Sequence, residues 1–301
     1  MVISVDSPID DKVRSAMESL IEDYEHVLSR FRNDSLIAAI GKAEHGGSFD
    51  FPDWCAPLFD LYDALFSATS GAIDPCVGED LIRLGYDASL SFTVTQDAPE
   101  HLGALRGRAV WGRDVTRHGT TLVTHEPVQL DFGACGKGYL VDLLGRMLQS
   151  SQFVIDAGGD LLIHAEQPIS VALEDPEDQS HAIGIAHIAN GALCASAPSR
   201  RHWNVAVNER TQIAIHHLLN AIDGLPAQQT EASWAYVPAN ATLNLARDYP
   251  TAVADGLATA LFVSDVAQLQ RTFDFTYATL DESRQIAVSR NFPAELFLRS
   301  A

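Results

Sequence analysis

The stretch Leu130-Asp131-Phe132-Gly133-Ala134-Cys135-Gly136-Lys137-Gly138-Tyr139 reads as a strand that delivers a carboxylate into a glycine-rich turn, from which a helix opens. Small residues let backbone approach a ligand closely, amides at a helix start favour an anion, and Lys137 adds a point charge. A phosphate or pyrophosphate suits such a turn, which is not the G-x-x-x-x-G-K-[ST] loop of nucleotide triphosphatases. The same pattern also describes a tight strand-to-helix turn with an exposed lysine. The helix is expected over about 137–148, with Leu140, Val141, Leu144 and Met147 on one side. Around it lie short β-rich pieces bounded by turn residues, at 109–111, 121–124, 128–131, 153–156, 161–164 and 169–173. Gly158-Gly159 between two of them signals a hairpin.

Toward the N-terminus, a short possible strand at 2–5 precedes Ser7-Pro8, which looks like a helix cap with proline in the first turn. Val13, Met17, Leu20, Ile21, Tyr24, Val27, Leu28 and Phe31 then recur at helical steps. A second amphipathic run, from Asp53 to about Thr69, carries Leu58, Leu61, Tyr62, Leu65 and Phe66 and ends at Gly71. Toward the C-terminus, 202–207 and 212–219 around Asn208-Glu209-Arg210 read as a hairpin. Strands are expected at 232–237 and 273–280, with a helix over about 252–263 between them. Strands and helices mixed in this way, without repeats or a long linker, describe an α+β or α/β body, taken as a single domain over 1–301.

Composition narrows the function. The 301 residues are 47% apolar and 20% charged, enough to bury a core and too apolar for a disordered chain. Forty acidic residues against 20 basic ones give a net charge of −20, which repels nucleic acid and anionic membrane surfaces. An anionic ligand must therefore be held by local positive charge. No stretch approaches the roughly 20 apolar residues of a membrane span, and the N-terminus lacks an export signal, so a soluble protein is expected. Cys55, Cys76, Cys135 and Cys194 are far apart and read as buried apolar residues of a reducing compartment.

Two further stretches can carry chemistry. Asp255 and Thr259 in Val253-Ala254-Asp255-Gly256-Leu257-Ala258-Thr259 are four apart and share a helix face, where carboxylate and hydroxyl oxygens suit a hard cation such as magnesium. A dipole partner and a back-bonded threonine would look the same. In Ile215-His216-His217-Leu218 only one histidine can face a given side of a strand, and His217 is a candidate general base.

In sequence order, Asn33-Asp34-Ser35, Gly71-Ala72-Ile73-Asp74-Pro75, Asp131 to Asp142 through Lys137-Gly138-Tyr139, Ala157-Gly158-Gly159-Asp160, His217-Leu218-Leu219 and Ala254-Asp255 to Thr259 resemble the ApbE family of FAD:protein FMN transferases, over about residues 31–263. The resemblance implies an α+β fold with largely antiparallel sheets flanked by helices, FAD as substrate and magnesium as cofactor. It implies that Ala72, Ile73, Asp74, Asp131 and Lys137 touch FAD and that Leu218 gives an apolar contact. Asp255 and Thr259, with the carbonyls of Ala134 and Ala258, would bind magnesium. In such enzymes a threonine or serine hydroxyl of a target flavoprotein attacks the FMN-side phosphorus and AMP departs. Lys137 would offset phosphoryl charge and His217 accept the proton. FAD pyrophosphate hydrolysis to FMN and AMP, and FAD binding without turnover, are the alternatives.

Three departures from the family pattern stand out. No Met-Gly-Thr strand precedes residues 2–5, Asn220-Ala221 replaces Asp-Pro, and Ala195-Ser196-Ala197 replaces Thr-Ser-Gly. A lipoprotein signal is also missing, which makes a cytoplasmic location the expectation.

Overall fold

The computed structural model describes residues 1–208 and 211–297. The chain divides into two compact units, one of Met1–Ser19, Gly133–Ser199 and Gln228–Ala301, the other of Leu20–Phe132 and Arg200–Ala227. Mixed helices and antiparallel sheets make up both, the α+β architecture expected.

The first unit is organised by an eight-stranded antiparallel sheet. In spatial order run Val2–Val5, Phe153–Asp156, Asp160–Glu174, Ala182–Ser196, Thr230–Pro238, Thr276–Asp281 and Ile286–Val288, while Ala294–Leu296 pairs with Ala182–Ser196. Ile163, Leu173, Ile183, Ile188, Trp234 and Leu280 from four of its strands are buried in one cluster. The Gly158-Gly159 hairpin is present: both glycines have positive φ, 78° and 112°, which side chains resist.

Two helices of this unit, Gly133–Gly145 and Pro250–Ala260, approach so closely that a Cβ on Gly138 would lie 2.3 Å from the Thr251 carbonyl oxygen. Asp142 ties them further. Its buried carboxylate accepts the N–H groups of Thr251 at 3.1 Å and Ala252 at 2.8 Å, capping the second helix from the first. Burial outweighs those donors and pushes Asp142 up to about 7. Unfolded, it titrates near 3.9. Between these values the folded state keeps a proton that the unfolded state has released, so stability falls as pH rises. Asp142→Asn should therefore flatten the decline in unfolding free energy between pH 5 and pH 7 by about 2 kcal/mol. Urea titrations of both proteins at the two pH values measure it, and parallel declines would exclude Asp142.

The second unit centres on the helix Ala56–Ala68, which buries Leu58, Phe59, Leu61, Tyr62 and Leu65 behind a short 3-10 turn, Asp53–Cys55. It ends as expected: Gly71, at φ 88°, returns its N–H to Phe66 O at 2.8 Å. Phe51, Phe59, Tyr62, Trp111 and Phe132 pack edge to face or tilted around it. A three-stranded sheet orders Gly47–Asp50, Thr121–Thr124 and Val115–His118. A ribbon pairs His202–Asn208 with Thr211–His216, and Leu219–Asn220 pairs with Leu225–Pro226.

Several local expectations are corrected. The helix begins at Gly133, so the glycine run is its first turn rather than a loop before it. Residues 128–131 form no strand. They pass against Gly78, where a Cβ would meet Gln129 O at 2.7 Å, and Asp131 N–H reaches Pro75 O at 2.7 Å. Residues 109–111 supply one bridge, Trp111 to Val115. The pieces 161–164 and 169–173 are parts of one strand with an irregular register between them. Asp10, not Ser7, accepts an N–H at the first helix, which spans Asp11–Leu28 and stops before Phe31. Glu209 and Arg210 of the expected hairpin turn lie outside the described residues. Among the described residues, no helix is long and apolar enough to cross a membrane.

Candidate active site

In the first unit, Lys137 sits within the helix Gly133–Gly145 and its Nζ donates to Asp160 Oδ2 and, at 3.4 Å, to Asp255 Oδ1. Both carboxylates are buried, while the lysine side chain is 50% exposed. Asp255 lies in the middle of Pro250–Ala260, and its Oδ2 accepts the Gly138 N–H at 3.0 Å. One turn on, the Thr259 hydroxyl donates to Ala134 O at 3.5 Å. Asp255, Thr259 and Ala134 therefore come together as the resemblance implies. The Ala258 carbonyl accepts the Ser233 hydroxyl at 2.6 Å and has one lone pair left.

Burial alone would lower Lys137, but Asp255 and Asp160 outweigh it and hold the ammonium above its ordinary range. Burial and the Asp160 carboxylate push Asp255 upward against the pull of Lys137. Two buried carboxylates thus share one ammonium, and Asp160 Oδ1 is buried without a hydrogen-bond partner. That surplus of negative charge, with hydroxyl and carbonyl oxygens beside it, fits a small hard divalent cation. Among the described residues, no three His, Cys, Asp or Glu side chains are grouped to hold a metal, so backbone and hydroxyl oxygens would complete its shell.

In the second unit, Ala72, Ile73 and Asp74 are buried. Asp74 caps a 3-10 turn, accepting Cys76 N–H at 2.8 Å, and its Oδ2 lies 3.5 Å from Arg108 Nη1. Arg108 also pairs with Asp80 at 2.8 Å and donates to Ala221 O at 2.7 Å, while Ala221 N–H returns to Ala72 O at 3.0 Å. The Asp74 side chain is thereby committed to a buried ion-pair cluster that braces two of the expected FAD segments. Burial pushes both acids up, Asp80 to about 6.

Asp131 pairs with the Nε of Arg30, a residue that no motif singles out. The Arg30 guanidinium lies 4.2 Å from the Phe31 ring centre and 4.6 Å from that of Tyr86, and donates to Tyr86 O at 2.6 Å.

Of the two histidines, His216 is structurally satisfied: it hydrogen-bonds Ala227 O at 2.7 Å and accepts Leu218 N–H at 3.2 Å, and burial lowers its pKa. His217 is half-buried, and its Nδ1 contacts Arg201 O at 3.2 Å. A carbonyl can only accept, so Nδ1 carries the hydrogen of this contact, and in the neutral ring the lone pair lies on Nε2. Leu218 is buried. Asn220, in place of the family's aspartate, accepts Ile222 N–H at 3.0 Å and so keeps the turn that ends at Gly224, φ 73°.

A model of the ApbE family matches residues 1–279, beyond the 31–263 over which the motifs recur. The chain is 23% identical over 274 residues to the FAD:protein FMN transferase of Klebsiella pneumoniae (strain 342), covering 87% of this chain and 74% of that one. With the FAD:protein FMN transferase of Treponema pallidum (strain Nichols) it is 27% identical over 286 residues, covering 84% and 72%. Its fold matches the crystal structure of the ApbE protein from Thermotoga maritima with a TM-score of 0.78 at 20% identity, over 98% of this chain and 95% of that one. For the flavin transferase ApbE from Vibrio cholerae the TM-score is 0.75 at 18% identity, over 96% and 93%. Identities this low carry the fold alone.

Proposed function

Because the chain belongs to the ApbE family, we propose that it is a magnesium-dependent FAD:protein FMN transferase, moving FMN from FAD to a threonine or serine hydroxyl of a target flavoprotein and releasing AMP. The observation that carries this reading is the contact of Lys137 with buried Asp255, beside Thr259 and the Ala134 carbonyl. Lys137 would bind phosphoryl oxygens, and the half-exposed side chain leaves its ammonium within reach of them. Asp255, Thr259 and the carbonyls of Ala134 and Ala258 would hold magnesium, which supplies further charge stabilisation to the phosphoryl group. Asp131, Leu218 and the segment Ala72-Ile73-Asp74 are assigned to FAD.

The acceptor oxygen forms a bond to the FMN-side phosphorus, the bond from that phosphorus to the bridging oxygen breaks, and AMP leaves with the bridging oxygen. His217 Nε2 takes the hydroxyl proton. Four buried cysteines outside any disulfide support a cytoplasmic setting.

AMP release from FAD with magnesium, with and without an acceptor domain, followed by mass spectrometry of that domain, tests the proposal. An FMN adduct on a threonine or serine is expected. AMP without an adduct would select hydrolysis, and bound FAD without AMP would select a non-catalytic binder. His217→Ala should slow transfer by roughly 10²–10⁴-fold while leaving FAD affinity nearly unchanged. Equal loss of both would make His217 a pocket residue.

A further inference from the structure

We infer that Asp160 is the positioning residue of Lys137, the buried anchor that keeps the lysine's ammonium at the phosphate site while Asp255 serves the metal. The inference rests on the assignment of Lys137 and Asp255 made above. Asp160 opens the strand Asp160–Glu174, straight after the Gly158-Gly159 turn, and its carbonyl accepts the Ala157 N–H at 3.0 Å. Its backbone is paired across the sheet with Cys194, so the carboxylate is carried on rigid structure. The side chain is fully buried. One oxygen holds Lys137 Nζ, and the other has no hydrogen-bond partner.

Stability alone gives no reason for that arrangement. A buried carboxylate with an unsatisfied oxygen is costly, and an apolar residue of similar size would remove the cost. The charge has a use if the long, flexible Lys137 side chain must be held in one place. Asp255 cannot do this alone, because an oxygen turned to a cation no longer serves the ammonium. Asp160 leaves the lysine anchored on one side and open on its exposed side.

A double-mutant cycle tests the inference. Wild type, Asp160→Asn, Lys137→Met and the double variant are titrated with FAD in magnesium, following flavin fluorescence, with thermal melts confirming that each is folded. Asp160→Asn should weaken FAD by roughly 10-fold, the scale of one lost charge-assisted hydrogen bond. In the Lys137→Met background it should add nothing, since the group it positions is gone. Multiplying effects would overturn the inference, as would unchanged FAD affinity in Asp160→Asn. Should Asp160→Asn fail to fold, Asp160→Ser takes its place in the cycle. A wild-type protein that bound no FAD would remove the functional reading and this one with it, whereas FAD binding with independent substitutions would remove this one alone.

Discussion

Asp255→Asn is expected to cut FAD turnover by roughly 10³-fold or more and to abolish its response to magnesium. The substitution keeps the side chain's shape and one oxygen for the Gly138 N–H, which Asp255 accepts at 3.0 Å, so the helix contact survives. What it removes is negative charge at the centre of the cluster. A hard cation held as proposed, by a hydroxyl and neutral carbonyls besides Asp255, would lose its one anionic ligand, while Lys137 keeps Asp160 as its partner. The loss should therefore appear as a fall in magnesium affinity and kcat, with a smaller change in FAD affinity. AMP release measured across a magnesium series reads this. An Asp255→Asn protein with ordinary magnesium dependence would show that the cation sits elsewhere.

Arg108→Met should destabilise the protein by about 3–5 kcal/mol. Arg108 is fully buried with Asp74 and Asp80, both themselves buried, and it donates to the Ala221 carbonyl. Methionine fills similar space but leaves two carboxylates facing each other without a cation. The deficit should shrink at low pH. Burial already raises both acids, Asp80 to about 6, and removing the guanidinium raises them further, so lowering the pH protonates them more readily and relieves their repulsion. Urea unfolding at pH 5 and pH 8 measures both effects. A loss below about 1 kcal/mol at pH 8 would mean the cluster is a minor contributor.

Much of this architecture was legible in the residues, and the failures have physical causes. The strands at 121–124 and 153–156 are legible because each is short, β-branched or aromatic, and closed by turn residues. Ala182–Ser196 is a strand the sequence pattern does not predict. It is buried on both faces over part of its length, and its five alanines and two glycines dilute the β-branched signal of Ile183, Ile185 and Ile188. In the site, Asp255, Thr259 and Ala134 converge as the motifs implied because helical spacing fixes two of them. Arg30, Arg108 and Asp160 gave weaker signals. The two arginines act on residues far along the chain, 101 positions away for Asp131 and 34 for Asp74, and no local pattern marks such a pair. Asp160 was visible as the end of Ala157-Gly158-Gly159-Asp160, but the hairpin explained the glycines and left the acid without a task. Asp74 runs the other way, its side chain being held by the fold it helps to build.

The order in which the chain's segments belong to the two units bears on how a ribosome can deliver this molecule. Every part of the second unit has been made once Ala227 is synthesised, whereas the first unit still lacks Gln228–Ala301. At about 5–20 residues per second, that remainder takes roughly 4–15 s more. Until it arrives, Ala182–Ser196 has lost two of its neighbours, Thr230–Pro238 and Ala294–Leu296, and presents an open edge on which other chains can template. Lys137 and Asp160 are already in the nascent chain during that interval, and Asp255 is not. A polypeptide stalled or cleaved before residue 255 thus carries Lys137 and Asp160 without Asp255, the carboxylate proposed to hold the metal, and on that proposal is expected not to turn over FAD.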